Sequence, residues 1–402
     1  MTEKIRKLHE GVQAEILHNI LPFWSQHMTD HEFGGFLGRI SGQGRIVKNA
    51  EKGGILNARI LWTFSAAYNH FKDPVYRQMA ERSKDFILKN FFDEQFGGTY
   101  WKLTHDGNPL DTKKQIYSQA FFIYALSEYY RISGDRTCLD KAVVLHRLIE
   151  EKSSDVEKNG YLEAFTRDWT LLEDLRLSDK DDNEKKTTNT HLHILEAYTG
   201  LYRIWKDREL AGKIKNLLVL FLEKILDPRS HHLQLFFDDD WNVRSSLISY
   251  GHDIEASWLL YEAARVLEDR QLMVSVKEAC IGVAHAAMEG LQEDGSLIYE
   301  KDGAHGRVDM ERHWWPQAEA VVGMFNLFEI TSDDLYLTRA IRCWEYIVNN
   351  LTDKKNGEWY WSIFPDGTPN LKQDKAGFWK CPYHNGRMCL EIIGRSERIM
   401  FV

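Results

Sequence analysis

Two kinds of helical pattern alternate along the chain. One set, residues 55–71, 115–132, 189–205, 252–267, 316–330 and 382–397, is apolar on nearly every face, as in Ala120-Phe-Phe-Ile-Tyr-Ala125. A helix that is apolar all round belongs inside. The other set, residues 75–88, 139–150, 210–225, 272–288 and 335–349, is more polar and suits an outer layer. A leading helix over residues 5–28 supplies one more outer member, which makes six pairs.

Two punctuation marks separate these helices. A short Asp turn precedes five outer helices, at Asp73, Asp135, Asp207, Asp269 and Asp333, with a period of roughly 60–70 residues. Between them fall Gly turns followed by aromatic and β-forming residues, such as Phe33-Gly-Gly-Phe36, Phe96-Gly-Gly-Thr-Tyr-Trp101 and Asn356-Gly-Glu-Trp-Tyr-Trp361. These predict small β-hairpins. The fourth unit lacks the Gly and has His232-Leu-Gln-Leu-Phe-Phe237 instead. Helical hairpins at one period stack into an open solenoid or a closed toroid, and an open array needs polar capping repeats. The last inner helix is apolar almost to its end, with Met388-Cys-Leu-Glu-Ile-Ile393. The pattern therefore predicts an all-α (α/α)6 barrel, a single domain over residues 1–402, with short β-hairpins in the loops at one end. A curved solenoid is the alternative.

Charge and composition narrow the partners. The net charge of −9 argues against nucleic acid held by a basic surface. No apolar run approaches the ~18 residues of a membrane span, and the polar start Met1-Thr-Glu-Lys-Ile-Arg6 does not resemble a signal peptide. The five Cys are scattered and odd in number, which fits a reduced, cytoplasmic protein. A monomer or weak homo-oligomer is expected. Thirteen Trp is many, and flat rings with one donor suit sugar faces as well as cores. No phosphate loop, nucleotide fingerprint or metal-ligand spacing is present, so the expected chemistry uses no metal and no cofactor.

Polar residues gather at the first turn of every inner helix: Asn57 and Arg59; Tyr117 and Gln119; Asn189 and His193; His252 and Glu255; Trp315 and Glu319; His384 and Arg387. In a toroid these six ends converge on the axis, where helix N-termini add partial positive charge. Long connections at residues 103–114, 165–186 and 301–313 lie at the same end and can wall a cleft. His252 and Glu255 are three apart on one helical face, so the carboxylate is placed to orient the imidazole and raise its basicity. His191 is offset toward packing. His70, His231, His232 and His305 read as solvated turn residues.

His252 and His384 can face each other across the ring. With ordinary values of about 6.5, each can give or take a proton near neutrality. Two such groups on opposite faces of one carbon are what inversion by proton transfer requires. The enediolate between the two steps needs hydrogen-bonding or cationic stabilisation, which Arg59, His193 and the helix ends can supply. An inverting glycosidase on the same barrel is a competing enzyme. It needs two carboxyls about 6.5–9.5 Å apart, and Glu255 with Glu319 is the pair to nominate. A non-catalytic repeat scaffold would have no use for polarity at six inner-helix starts.

Five segments carry a resemblance: Asn57-Ala-Arg59, Asn189-Thr-His-Leu-His-Ile-Leu-Glu-Ala-Tyr198, Gly251-His-Asp-Ile-Glu-Ala-Ser-Trp258, Trp314-Trp-Pro-Gln-Ala-Glu-Ala320 and Trp379-Lys-Cys-Pro-Tyr-His-Asn385. Together they resemble the N-acylglucosamine 2-epimerase superfamily over nearly the whole chain. The resemblance implies an (α/α)6 barrel and reversible C2 epimerisation of the reducing-end glucose of β-1,4-linked disaccharides such as cellobiose, lactose or mannobiose. Gln317-Ala-Glu319 favours that disaccharide branch over relatives acting on N-acylglucosamine or mannose. By the same resemblance, His384 takes the C2 proton from the gluco form and His252 serves the opposite face. Arg59, Asn189, His193 and Glu255 hold the open sugar, Trp315 and Trp379 stack on it, and Glu319 and Tyr117 join the site. An acidic residue before Asn189 binds sugar in the family; Asp181 is chosen, with Asp179 and Asp182 competing.

Overall fold

The computed structural model describes residues 1–400. The chain opens with α1 (Thr2–Glu15), a π-helical turn (Ile16–Ile20) and α2 (Leu21–His27), which together make one outer helix. Five helical hairpins follow: α3 (Gly54–Phe71) with α4 (Pro74–Asn90), α5 (Ile116–Ser133) with α6 (Arg136–Lys152), α7 (Thr188–Ile204) with α8 (Arg208–Leu220), α9 (Tyr250–Leu267) with α10 (Arg270–Ala287), and α11 (Trp314–Thr331) with α12 (Asp334–Tyr346). The last inner helix is α13 (Tyr383–Met400). All the predicted helices are present.

The Asp turns work as helix caps. Asp73, Asp135, Asp207, Asp269 and Asp333 each stand at the N-cap of an outer helix and accept a backbone N–H from its first turn. Each such cap contributes about 1 kcal/mol. They sharpen the turn that folds each outer helix back onto its inner partner.

The inner helices close a ring. α3, α5, α7, α9, α11 and α13 pack in that order, and α13 returns to pack on α3, while α1 covers α13 from outside. This is an (α/α)6 barrel, and the solenoid alternative falls. No helix among the described residues is long and apolar enough to cross a membrane.

Each of the six outer helices runs into a small hairpin at the same end of the barrel. The bridges Thr29–Phe36, Phe92–Thr99, Ser154–Tyr161, Leu226–Leu233, Leu291–Leu297 and Thr352–Trp359 mark all six. Where the fourth unit lacks Gly, His231 takes the left-handed conformation at φ 62°. That turn tucks the next residue inside, so His232 is buried with Nδ1 2.7 Å from Asp253, not solvated as its turn position suggested. Buried Lys–Asp pairs tie hairpins to the strands before inner helices: Lys52–Asp30 at 2.6 Å, Lys114–Asp93 at 2.9 Å, Lys186–Asp155 at 2.8 Å, and Lys375–Asp353.

A second contact, a clamp from the first turn of the inner helix to the preceding hairpin, recurs in five of the six units. Gln119 accepts from Thr99 N and donates to its carbonyl; Gln317 does the same at Leu297. His191 Nε2 accepts from Tyr161 N at 3.0 Å, and Asp253 accepts from Leu233 N at 2.8 Å. Asn57 donates to Gly53 O at 2.8 Å, and Asn385 donates to Glu358 at 2.7 Å. Gln119 is therefore occupied by the preceding hairpin, and Asn57 by its own helix start.

Candidate active site

Two residues past Asn57 and past each clamp, about 200° around the helix, the side chain points the other way, to the barrel axis. Those positions are Arg59, Phe121, His193, Glu255, Glu319 and Arg387, one from each inner helix, all buried. Arg387 is the hub of the floor. Its Nη2 donates to Glu255 at 2.6 Å and to Glu319 at 2.7 Å, and its Nη1 donates to Glu196. Burial and mutual repulsion push the carboxyls of Glu255 and Glu319 up, against the pull of Arg387. Fully desolvated charges persist only when paired in this way.

Above the floor stand the two imidazoles. His384 Nδ1 lies 2.7 Å from Glu319 Oε1, and Glu319 is held from its other side by Trp258 Nε1 at 3.0 Å. Burial, then Arg59, Arg387 and His193, hold His384 well below the ordinary imidazole range. A neutral ring with Nδ1–H committed to a carboxylate leaves Nε2 as a free lone pair. His252 Nδ1 lies 2.8 Å from Ser249 Oγ, and burial with the nearby His193 pushes His252 down to about 3. Both rings pack against one indole: Trp315 lies 4.9 Å from His252 and 5.7 Å from His384, centroid to centroid.

Arg59 differs from Arg387 in having no carboxylate. It donates to Tyr117 OH at 2.7 Å and to Cys381 Sγ at 3.8 Å, and stacks on Phe121 at 4.2 Å. Its Nε has no partner among the described residues. A buried guanidinium without an anion is costly to leave so, and it marks where negative charge is to be received. Trp379 packs edge-on against Tyr117 at 6.1 Å, beside Arg59. Asn189, Asp181 and Asp182 line one cleft with His252, under the 165–186 connection. Asp181 accepts from Ser178 N and Oγ, and burial raises its pKa. Asp179 does not line that cleft.

The structure corrects one pairing. Glu255 does not orient His252: it is spent on Arg387, and Ser249 takes the ring instead. Ser249 is the N-cap of α9, so its hydroxyl already sits over the first turn where His252 begins. The carboxylate–imidazole pair exists, but it joins Glu319 of α11 to His384 of α13. Trp314 goes to the core, and Trp315 is half-buried at the mouth. Two residues escaped the sequence reading. Ser249 gave no signal beyond its cap position. Glu196 gave one: it stands three after His193, on the same face of an apolar helix.

A closed helical toroid with paired imidazoles over a carboxylate–guanidinium floor defines a site built for proton transfer on a polar ligand. The family model described as N-acylglucosamine 2-epimerase (GlcNAc 2-epimerase) matches residues 35–386. The chain is 54% identical to cellobiose 2-epimerase of Bacteroides fragilis, over 96% of this chain and 99% of that protein. It is 25% identical to N-acylglucosamine 2-epimerase of Bos taurus, over 97% of this chain and 92% of that protein. Among solved structures, cellobiose 2-epimerase from Bacillus thermoamylovorans superposes with a TM-score of 0.93 at 43% identity, covering 97% of this chain and 100% of that one. The chain belongs to the N-acylglucosamine 2-epimerase family and is a carbohydrate epimerase.

Proposed function

We propose that this protein interconverts glucose and mannose at the reducing end of cellobiose and related β-1,4-linked disaccharides by epimerising C2. The observation that carries this reading is the pair of imidazoles packed against Trp315, one of them fixed by Glu319. The identity to cellobiose 2-epimerases supports the disaccharide class over the N-acylglucosamine and mannose alternatives.

The same two histidines assist opening of the sugar ring. In the gluco-to-manno direction, His384 Nε2 then takes the proton from C2 and becomes imidazolium. The electron pair of the C–H bond moves into a C1–C2 enediolate, and the negative charge falls on O1. Arg59 receives that charge. His252, neutral at rest, takes up a solvent proton as the enediolate charge forms and returns it to the opposite face of C2, and His384 then gives its proton to solvent. Glu319 orients His384, Glu255 supports the floor through Arg387, and Asn189, Asp181, Tyr117, Trp315 and Trp379 hold the sugar. Five buried cysteines, none of them in a disulfide, fit a reducing, cytoplasmic setting.

The glycosidase alternative loses its pair. Glu255 and Glu319 have carboxylate oxygens within 4.8 Å of each other and share one guanidinium nitrogen. An inverting hydrolase needs about 6.5–9.5 Å and a water between the two carboxyls. The test is cellobiose in heavy water followed by NMR. Solvent deuterium at C2 of both epimers, with no free monosaccharide, is expected. Epimerised product that keeps its original C2 hydrogen overturns the two-histidine exchange.

A further inference from the structure

Glu196 lies in α7 one turn past His193 and is 4% exposed. Its Oε2 is 2.9 Å from His193 Nδ1. Its Oε1 accepts from the hydroxyl of Tyr383 and the guanidinium of Arg387. Burial alone would raise this carboxyl; Arg387 and His193 outweigh it and bring it down to about 2. An ionised carboxylate has no hydrogen to offer, so the hydrogen in the short contact belongs to Nδ1 of His193. His193 itself is buried, and burial with Arg59 and Arg387 lowers its pKa despite Glu196. The charged or titratable groups around the ring are Glu196, Arg59, Arg387, His252, His384 and Tyr117. Nε2 of His193 has no partner among the described residues.

We propose that Glu196 is a positioning residue that locks His193 in the Nδ1–H tautomer, so that Nε2 meets the substrate as an acceptor for one sugar hydroxyl. His193 then cannot donate to the enediolate, and that charge is left to Arg59. This changes the assignment made from the sequence, where His193 stood beside Arg59 as a stabiliser. It also gives His193 a part in specificity. A buried acceptor favours a substrate that carries a hydroxyl there and penalises one that lacks it. The hydroxyl's identity rests on the proposed function; the tautomer does not.

The first measurement uses the native enzyme labelled with nitrogen-15 histidine. Long-range proton–nitrogen spectra should show His193 with a pyrrole-type Nδ1 and a pyridine-type Nε2 across neutral pH, the signals being assigned by their loss in His193→Phe. An Nε2–H tautomer or an imidazolium overturns the proposal. The second measurement compares cellobiose with analogues lacking single hydroxyls of the reducing-end ring. One analogue should lose about 10- to 100-fold in kcat/KM with the native enzyme and lose nothing further with His193→Phe. If every analogue behaves alike in both enzymes, the acceptor role falls. In Glu196→Gln the amide can donate to Nδ1, so part of His193 should shift to the Nε2–H form. The kcat/KM loss should not add to that of His193→Phe, whereas a purely structural Glu196 gives additive losses. Absence of any epimerisation of cellobiose would refute the proposed function while leaving the tautomer spectrum standing.

Discussion

His384 owes its role to three neighbours and not to its own chemistry. Glu319 fixes Nδ1 at 2.7 Å, while burial and the two nearby arginines keep the ring neutral. Glu319→Gln should therefore leave a folded protein whose kcat falls by about 10- to 100-fold, since partners that orient a functional imidazole are worth that much. A variant with native kcat would remove Glu319 from the site. The same depressed value fixes the pH profile. A base whose pKa lies below 6.5 stays unprotonated as pH falls through that point. The acid limb of kcat/KM should then lie clearly below pH 6.5, and a limb at or above that value would contradict the assigned surroundings of His384. At this scale the sequence was legible for His252, His384, Arg59 and Trp315, which are chemically distinctive at first turns of apolar helices. It was misleading for Glu255, because spacing along α9 says which face a carboxylate shares but not which partner across the axis reaches it first.

The repeated element is a hairpin hung on a helix start, and its buried ion pair is a stability device. Lys52 and Asp30 meet at 2.6 Å with side chains 1% and 6% exposed. Lys52→Met strands Asp30 without its cation, and breaking such a pair costs about 3–5 kcal/mol. Urea unfolding should register that loss. Removing Arg6, whose pairs with Glu3 and Glu10 are exposed, should leave the urea midpoint nearly unchanged. The Asp caps and Gly turns made these elements readable, since each has a local backbone reason. The clamps were not readable as clamps: Gln119 looks like a site residue until the hairpin from the preceding unit is seen against it.

Across the whole molecule, several imidazoles are buried neutral. Burial brings His191 to about 4 and His252 to about 3, and lowers His146, His193 and His384. The unfolded chain binds these protons near pH 6.5 and the folded barrel does not. Their contribution to stability is thus complete above about 6.5 and is lost as pH falls toward the folded values. Each group contributes a slope of up to ~1.4 kcal/mol per pH unit. Thermal melts should drop between pH 7 and pH 5, and His191→Gln should flatten that slope by about one proton. Ring closure of α13 on α3 couples every hairpin to two neighbours, so unfolding should show a single transition by calorimetry and circular dichroism alike.

By itself the sequence determined what is local: which segments are helices, where they are capped, which are buried, and which first turns are unusually polar. Periodicity, cap residues and unusual polarity are properties of neighbours along the chain. Only the tertiary structure decided that the array closes, that Arg387 gathers carboxylates from three helices, and that His384 takes Glu319. Those choices depend on distances across an axis that six helices share, and no spacing within one helix encodes them.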